Sequence, residues 1–317
     1  MEKKCIKISN IKISPDKDTA FLEGIIRKEL RLGKDAQIDY EIAKRSLDCR
    51  HKPQVMHIYS VEVYKVVRSG REEKLENIIK KSGCKNAVMS KRVIYKFPVN
   101  ATENVNEDER PVVIGFGPAG IFCALELAKA GLRPVVYERG QDVDTRTKKV
   151  AQFWETGELD TECNVQFGEG GAGTFSDGKL TTGINSVFCK TVLETFVKFG
   201  APEEILYTSK PHIGTDNLVN ILRNIREYIL ANGGTFLFNR KFVDFETVNN
   251  QISKVYVLDV SDSSNKILEI ETDTVILAIG HSSRDTFYKL YENGIHIEPK
   301  NFSVGVRIEH LQEMINT

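Results

Sequence analysis

The chain lacks most of what marks a specialised class. Its 317 residues include one tryptophan and six cysteines, and 44 basic residues are balanced by 44 acidic ones. Cys5, Cys49, Cys84, Cys123, Cys163 and Cys189 form no C-x-x-C pair and no cysteine–histidine set at zinc spacing. That argues against a disulfide framework and a zinc module, and fits a reducing compartment. The opening MEKKCIKISN holds no apolar run of signal-peptide length. The longest uncharged stretch, residues 111–125, falls short of the ~20 residues that span a bilayer and carries three glycines and two prolines. A soluble, cytoplasmic protein is expected. Zero net charge, taken alone, argues against a general nucleic-acid binder. With 41% hydrophobic and 28% charged residues, the composition is that of a folded chain of about two domains.

Residues 1–97 read as a small α/β unit. Residues 5–13 alternate apolar and polar side chains, as a half-buried strand does. Residues 18–32 put Phe21, Leu22, Ile25, Ile26 and Leu30 on one helical face. Strand-like runs follow near 36–43 and 55–67, the second rich in β-branched and aromatic residues. A short helix over 72–81 turns Leu75, Ile78 and Ile79 inward, and 87–97 is a last strand. The order βαββαβ predicts a ferredoxin-like split βαβ unit. Residues 98–110, PVNATENVNEDER, are polar and aperiodic and form the expected linker.

Residues 111–317 read as a Rossmann-type α/β domain. Helices are predicted over 141–160, around Val150, Phe153 and Trp154, and over 190–199 and 216–231. Thr215 is the expected N-cap of the last, and Asn232, Gly233 and Gly234 its stop. Strands are predicted at 235–238, 241–247, 254–259, 266–271 and 275–279. The zero charge is a cancellation: residues 1–97 hold 23 Lys+Arg against 13 Asp+Glu, and residues 98–317 hold 21 against 31.

The strongest chemical signal is VVIGFGPAG. It ends a strand and opens a helix, and an acid follows at the expected distance. Gly115 allows a tight turn, Gly117 lets the backbone approach a pyrophosphate, and Gly120 lets the helix pack on the strand. Pro118 suits the first helical turn, where the amides around Ala119 face an anion. Glu138 closes the second strand, where its carboxylate can accept from both ribose hydroxyls. A ligand-free turn is the bland alternative, and the context disfavours it. The fingerprint serves FAD and NAD alike.

Two further segments tip the choice to FAD. DTVILAIGHSSRD is a strand ending in Ala278, Ile279 and Gly280, similar to the Ala-Thr-Gly turn of FAD proteins with two nucleotide-type domains. The β-rich stretch 234–271 is similar to the hairpin such proteins insert, where Phe242 would meet the adenine. A plain buried strand is the alternative for the Ala-Ile-Gly segment. GEGGAG, residues 168–173, also satisfies G-x-G-x-x-G, but no helical stripe follows, so a second Rossmann site fails on context. An irregular loop is expected, with amides at Gly170, Gly171 and Gly173 approaching a flavin pyrophosphate or ring, and Thr174 and Ser176 as donors. A surface loop is the bland reading.

NVQFGEGGAGTFSDGKL (164–180), KPHIGTD (210–216), AIGHSSRDT (278–286), FSVGVRIEH (302–310) and, nearer the start, YEIAKRSLDCRHKP (40–53) carry a resemblance. Over nearly the whole chain the sequence resembles a family of uncharacterised FAD-dependent dehydrogenases of bacteria and plastids. The resemblance implies an FAD-dependent oxidoreductase with a ferredoxin-like unit before its Rossmann-type domain, and names no substrate. Chains of that family continue into the remainder of a substrate domain and a late Gly-Asp motif. Nothing here matches that motif, so a chain truncated inside the second module is expected.

Other residues weigh less. Arg139 and Arg146 follow the ribose acid as candidate cofactor contacts, with loop anchoring or a solvated charge as alternatives for Arg146. His212 and His281 are more often structural than catalytic at such positions. Cys123 and Cys163 have no partner at redox spacing. The basic N-terminal unit would dock on the acidic domain or, less favoured, contact RNA, since it shows no K/R-G-F-x-F-type motif. An NAD(P)-binding dehydrogenase is the rival enzyme, and a non-catalytic FAD-binding fragment the rival binding module.

Overall fold

The computed structural model describes residues 2–51, 53–98, 105–175, 178, 180–184, 186–261, 264, 266–306 and 308–316. In β1, Glu2–Ile13, the apolar residues change phase midway. Ile6 and Ile8 are followed by Ile11 and Ile13, yet all four are buried. A bulge between Ile8 and Ile11, with Asn10 at φ 61°, absorbs the extra residue and keeps them on one face. The helix α1, Phe21–Glu29, lays Leu22 and Ile26 on that face, while Phe21, expected inward, is exposed under Lys17. Strands β2, Gln37–His51, and β3, Gln54–Arg68, are longer than the apolar runs that signal them. A two-residue β4, Arg71–Glu72, precedes α2, Leu75–Ser82, and β5, Ala87–Val93. The sheet order is β2-β3-β1-β5, each neighbouring pair antiparallel. Both helices share one core with the sheet, built on Ile6, Ile8, Leu22, Ile26, Val61 and Ile78.

The second half is built on a parallel sheet. β6, Val112–Ile114, leads through α3, Pro118–Lys129, to β7, Val135–Tyr137. Then come α4, Val143–Thr156, α5, Val187–Lys198, and α6, Thr215–Ala231. Gly214, not Thr215, occupies the capping position of α6, at φ 84°. β8, Thr235–Leu237, is followed by the meander β9, Arg240–Val248, β10, Gln251–Asp259, and β11, Ile267–Glu271. β12, Val275–Leu277, returns to the parallel sheet, giving the order β12-β6-β7-β8. α7, Arg284–Glu292, follows it.

Alternation along β6 and β7 decides the layers. Val113 and Val136 face a core with α3, α5 and α6, while Val112, Ile114 and Tyr137 face one with Phe242, Val255 and Val257 of the meander. Trp154, on the predicted stripe of α4, is instead 65% exposed, its ring edge-on to Phe175. The two halves touch through Tyr95 and Phe188, Glu41 and Lys190 at 3.3 Å, and Arg92 and Glu194. Residues 207–209 also run along the edge strand β2, where the Arg45 amide donates to the Tyr207 carbonyl at 2.6 Å. Among the described residues no helix is long and apolar enough to cross a membrane.

A candidate dinucleotide cleft

The carboxyl ends of parallel strands are where open α/β sheets bind ligands. Here the ends of β6, β7 and β12 open into a cleft of about 730 Å³. Gly115 stands at φ 95°, and a β-carbon there would lie 2.6 Å from the Ala278 carbonyl oxygen. That close approach joins the first turn to the Ala-Ile-Gly turn. At Gly120 a β-carbon would lie 2.0 Å from the Gly115 carbonyl oxygen. Backbone cannot yield as a flexible side chain can, so Gly120→Ala is expected to destabilise by about 3 kcal/mol, read as a lowered urea midpoint. The helix ladder of α3 begins with the Ile121 amide donating to the Gly117 carbonyl at 2.9 Å. The amides of Ala119 and Gly120 precede it, at the positive end of the helix dipole.

Eleven of the fifteen predicted cofactor residues line the cleft: Gly115, Gly117, Pro118, Ala119, Glu138, Arg139, Gly171, Gly173, Phe242, Ala278 and Gly280. Gly120, Arg146, Gly170 and Thr174 do not; they stand behind it. A β-carbon at Gly173 or Gly280 would meet no protein atom within 4 Å, so these two leave open space along the wall. Ser176 lies outside the described residues. His281 lines the cleft, while His212 is exposed and away from it. Burial pushes the Cys123 and Cys163 thiols up, so neither is an activated nucleophile.

Glu138 is engaged by the protein's own backbone. It is 4% exposed, and Oε2 accepts from the Phe116 amide at 2.7 Å. Oε1 accepts from the amides of Gly140 and Gly168, both at 2.9 Å. A carboxylate has about four lone-pair positions, so three are filled and one remains for a ligand hydroxyl. The same carboxylate thus ties the first glycine turn to the second glycine loop.

Arg146 organises that loop from behind. Its side chain is fully buried, and burial lowers its pKa to about 10. Nε donates to the Asn164 carbonyl at 3.0 Å, Nη1 to that of Glu169 at 2.6 Å, and Nη2 to those of Val165 and Gly171, both at 2.9 Å. Thr174 Oγ1 accepts a further bond at 3.3 Å. Every guanidinium nitrogen serves the loop, so Arg146 is an anchor and not a phosphate ligand.

Glu169 is the buried counter-charge. It accepts from the Val143 amide at 2.8 Å and pairs with Arg226, while its Oε1 has no hydrogen-bond partner. Burial outweighs these contacts and pushes its pKa up to about 7. A folded-state pKa above the unfolded one means that the folded chain binds the extra proton. Stability is therefore expected to fall as pH rises from 5 to 8. In Glu169→Gln, thermal melts across that range should show a flatter profile; an unchanged slope would remove Glu169 from this role.

Several of these residues carried no local signal. Glu169 and Arg226 act through partners far away in sequence, and so do Glu162 and Asp285, which form ion pairs with Arg139 and Lys241 at the cleft. Helix α7 was also missed, although Thr286 and Leu290, four residues apart and both buried, mark its inner face.

Residues 5–64 match a family model described as a domain of unknown function, DUF8436. An uncharacterized protein of Clostridium beijerinckii is 43% identical over 311 residues, covering 98% of this chain and 55% of that protein. The chain thus spans about half the length of the curated relative it matches. Solved structures with a related backbone include THI4 of Thermovibrio ammonificans, with 18% identity, 59% of this chain and 64% of that chain covered, and a TM-score of 0.40. Another is the glycerol-3-phosphate dehydrogenase of Bacillus halodurans complexed with FAD, with 15% identity, coverage of 58% and 36%, and a TM-score of 0.37.

Proposed function

We propose that the chain binds FAD in this cleft as part of a flavin-dependent oxidoreductase. The observation that carries the reading is the meeting of two glycine segments over one cavity. Gly171 packs on Gly117 and Pro118, and the Gly170 amide donates to the Phe116 carbonyl at 2.9 Å. The α3 N-terminus favours a pyrophosphate, and Glu138 keeps one lone-pair position for a ribose hydroxyl. Three layers support a Rossmann-type assignment: helices, parallel sheet, and an antiparallel meander carrying Phe242. The sheet order β2-β3-β1-β5, with both helices on one face, supports a ferredoxin-like unit.

FAD, when bound, supplies the hydride chemistry. The protein's own part is to place and shield it. Gly115, Gly117 and Gly171 let backbone stand where side chains would block. Arg146 and Glu138 hold both loops in one geometry. The basic unit serves the acidic domain by docking, through Arg92 with Glu194 and through Arg45 along residues 207–209. Arg92 donates to the Tyr64 hydroxyl and pairs with Glu194 of α5, which leaves less of that sheet face for RNA. The test is a visible spectrum of the purified chain, with reconstitution if it is colourless. Flavin absorbance that co-elutes with the protein supports the reading; no colour and no uptake of added FAD would sink it.

A further inference from the structure

An acid at the end of the second strand suits a ribose with free hydroxyls, whereas an arginine beside it suits a 2′-phosphate. This chain has both. Arg139 follows Glu138, and Lys241 follows Arg240, whose amide donates to the Glu138 carbonyl at 2.9 Å. Both cations line the cleft. Glu162 and Asp285 close a ring around them. Arg139 meets Glu162 at 2.9 Å and Asp285 at 2.6 Å, and Lys241 meets Glu162 at 3.0 Å and Asp285 at 2.7 Å. The Arg139 and Lys241 side chains are only 11% and 20% exposed, so these contacts are less screened than pairs in open water. Arg139 also lies 4.2 Å over the Phe167 ring, which fixes the plane of its guanidinium. Its fork spends Nη1 and Nη2 on Asp285 at 3.2 and 2.6 Å, and Nε on Glu162 at 3.0 Å. Two positive charges face two negative ones, and each nitrogen of the Arg139 guanidinium already donates to a carboxylate.

We propose that Glu162 and Asp285 make this cleft selective for an adenosine whose 2′-hydroxyl is free, by engaging the two cations that would otherwise take a 2′-phosphate. The inference rests on the dinucleotide reading of the cleft and adds a choice between dinucleotide classes. Neither carboxylate needs to touch the ligand. They act as positioning residues, through Arg139 and Lys241.

The test is calorimetric titration of the full chain with ADP-ribose and with 2′-phospho-ADP-ribose, beside FAD uptake measured by absorbance. The unaltered chain is expected to favour ADP-ribose by about tenfold or more. In Glu162→Gln/Asp285→Asn the ratio should move toward the phosphorylated probe by about ten- to a hundredfold, the range of one charge-assisted hydrogen bond. Asp285→Asn alone, at a side chain 44% exposed, serves if the double variant does not fold, with a smaller shift in the same direction expected. A ratio that does not move while FAD uptake persists overturns the proposal alone. So does an unaltered chain that prefers the phosphorylated probe. A chain that takes neither FAD nor ADP-ribose overturns the dinucleotide reading beneath it.

Discussion

Arg146→Met should lower the free energy of unfolding by on the order of 3–5 kcal/mol. Methionine keeps much of the volume, so the loss is not a cavity effect. It comes from the carbonyls of Asn164, Val165, Glu169 and Gly171, which lose their donors together. It comes also from Glu169, whose buried carboxylate loses a nearby positive charge. Arg146→Lys should recover little, because an ammonium cannot serve carbonyls spread around a planar fork. Urea denaturation of the cofactor-free chain reads the effect directly. A midpoint within error of the unaltered chain would show that the loop is held some other way.

The second large effect belongs to Glu138→Ala. Three backbone amides, those of Phe116, Gly140 and Gly168, lose their acceptor inside the protein. At about 1–3 kcal/mol per unsatisfied buried donor, the three together give an expected loss of about 3–9 kcal/mol even with no cofactor present. A residue that served only a ribose would give no such loss in the cofactor-free chain. Glu138→Gln separates the roles further. Its carbonyl oxygen can still serve one or two amides, so stability should return in part. Its amide group opposes the remaining donor, so FAD retention should stay low. Denaturation without cofactor and FAD retention by gel filtration, measured on both variants, distinguish the two contributions.

How much of this was legible depended on distance along the chain. The βαββαβ order could be read because apolar periodicity is local, and β10 and β11 came within a few residues for the same reason. The bulge at Ser9–Asn10 could have been read as well, from the phase change between Ile8 and Ile11. The glycine turn at 115–120 was readable because its glycines, the helix after it and the acid at 138 fall in one short stretch. For Arg146 loop anchoring was one of three open readings, and which loop carbonyls it holds could not be read. Its partners lie 18 to 28 residues on, in a loop with no repeat to announce its path. The Arg139 ring is more distant still, since Asp285 lies 146 residues away. Charged residues of that kind look like solvated surface until the fold brings them together.

The strip of residues 207–209 along β2 has a consequence in time. Arg45 and Thr208 are 163 residues apart, whereas the core of the basic unit draws only on residues up to Ala87 and their neighbours. During synthesis that unit can complete its core long before its cover exists. At about 5–20 residues per second, the edge of β2 waits roughly 8–30 s for the segment that will line it. An uncovered edge strand is a template for another chain. Lys44, Arg45, Asp48 and Arg50 stud this one with charge, which discourages a hydrophobic strand from a neighbouring nascent chain from settling there first.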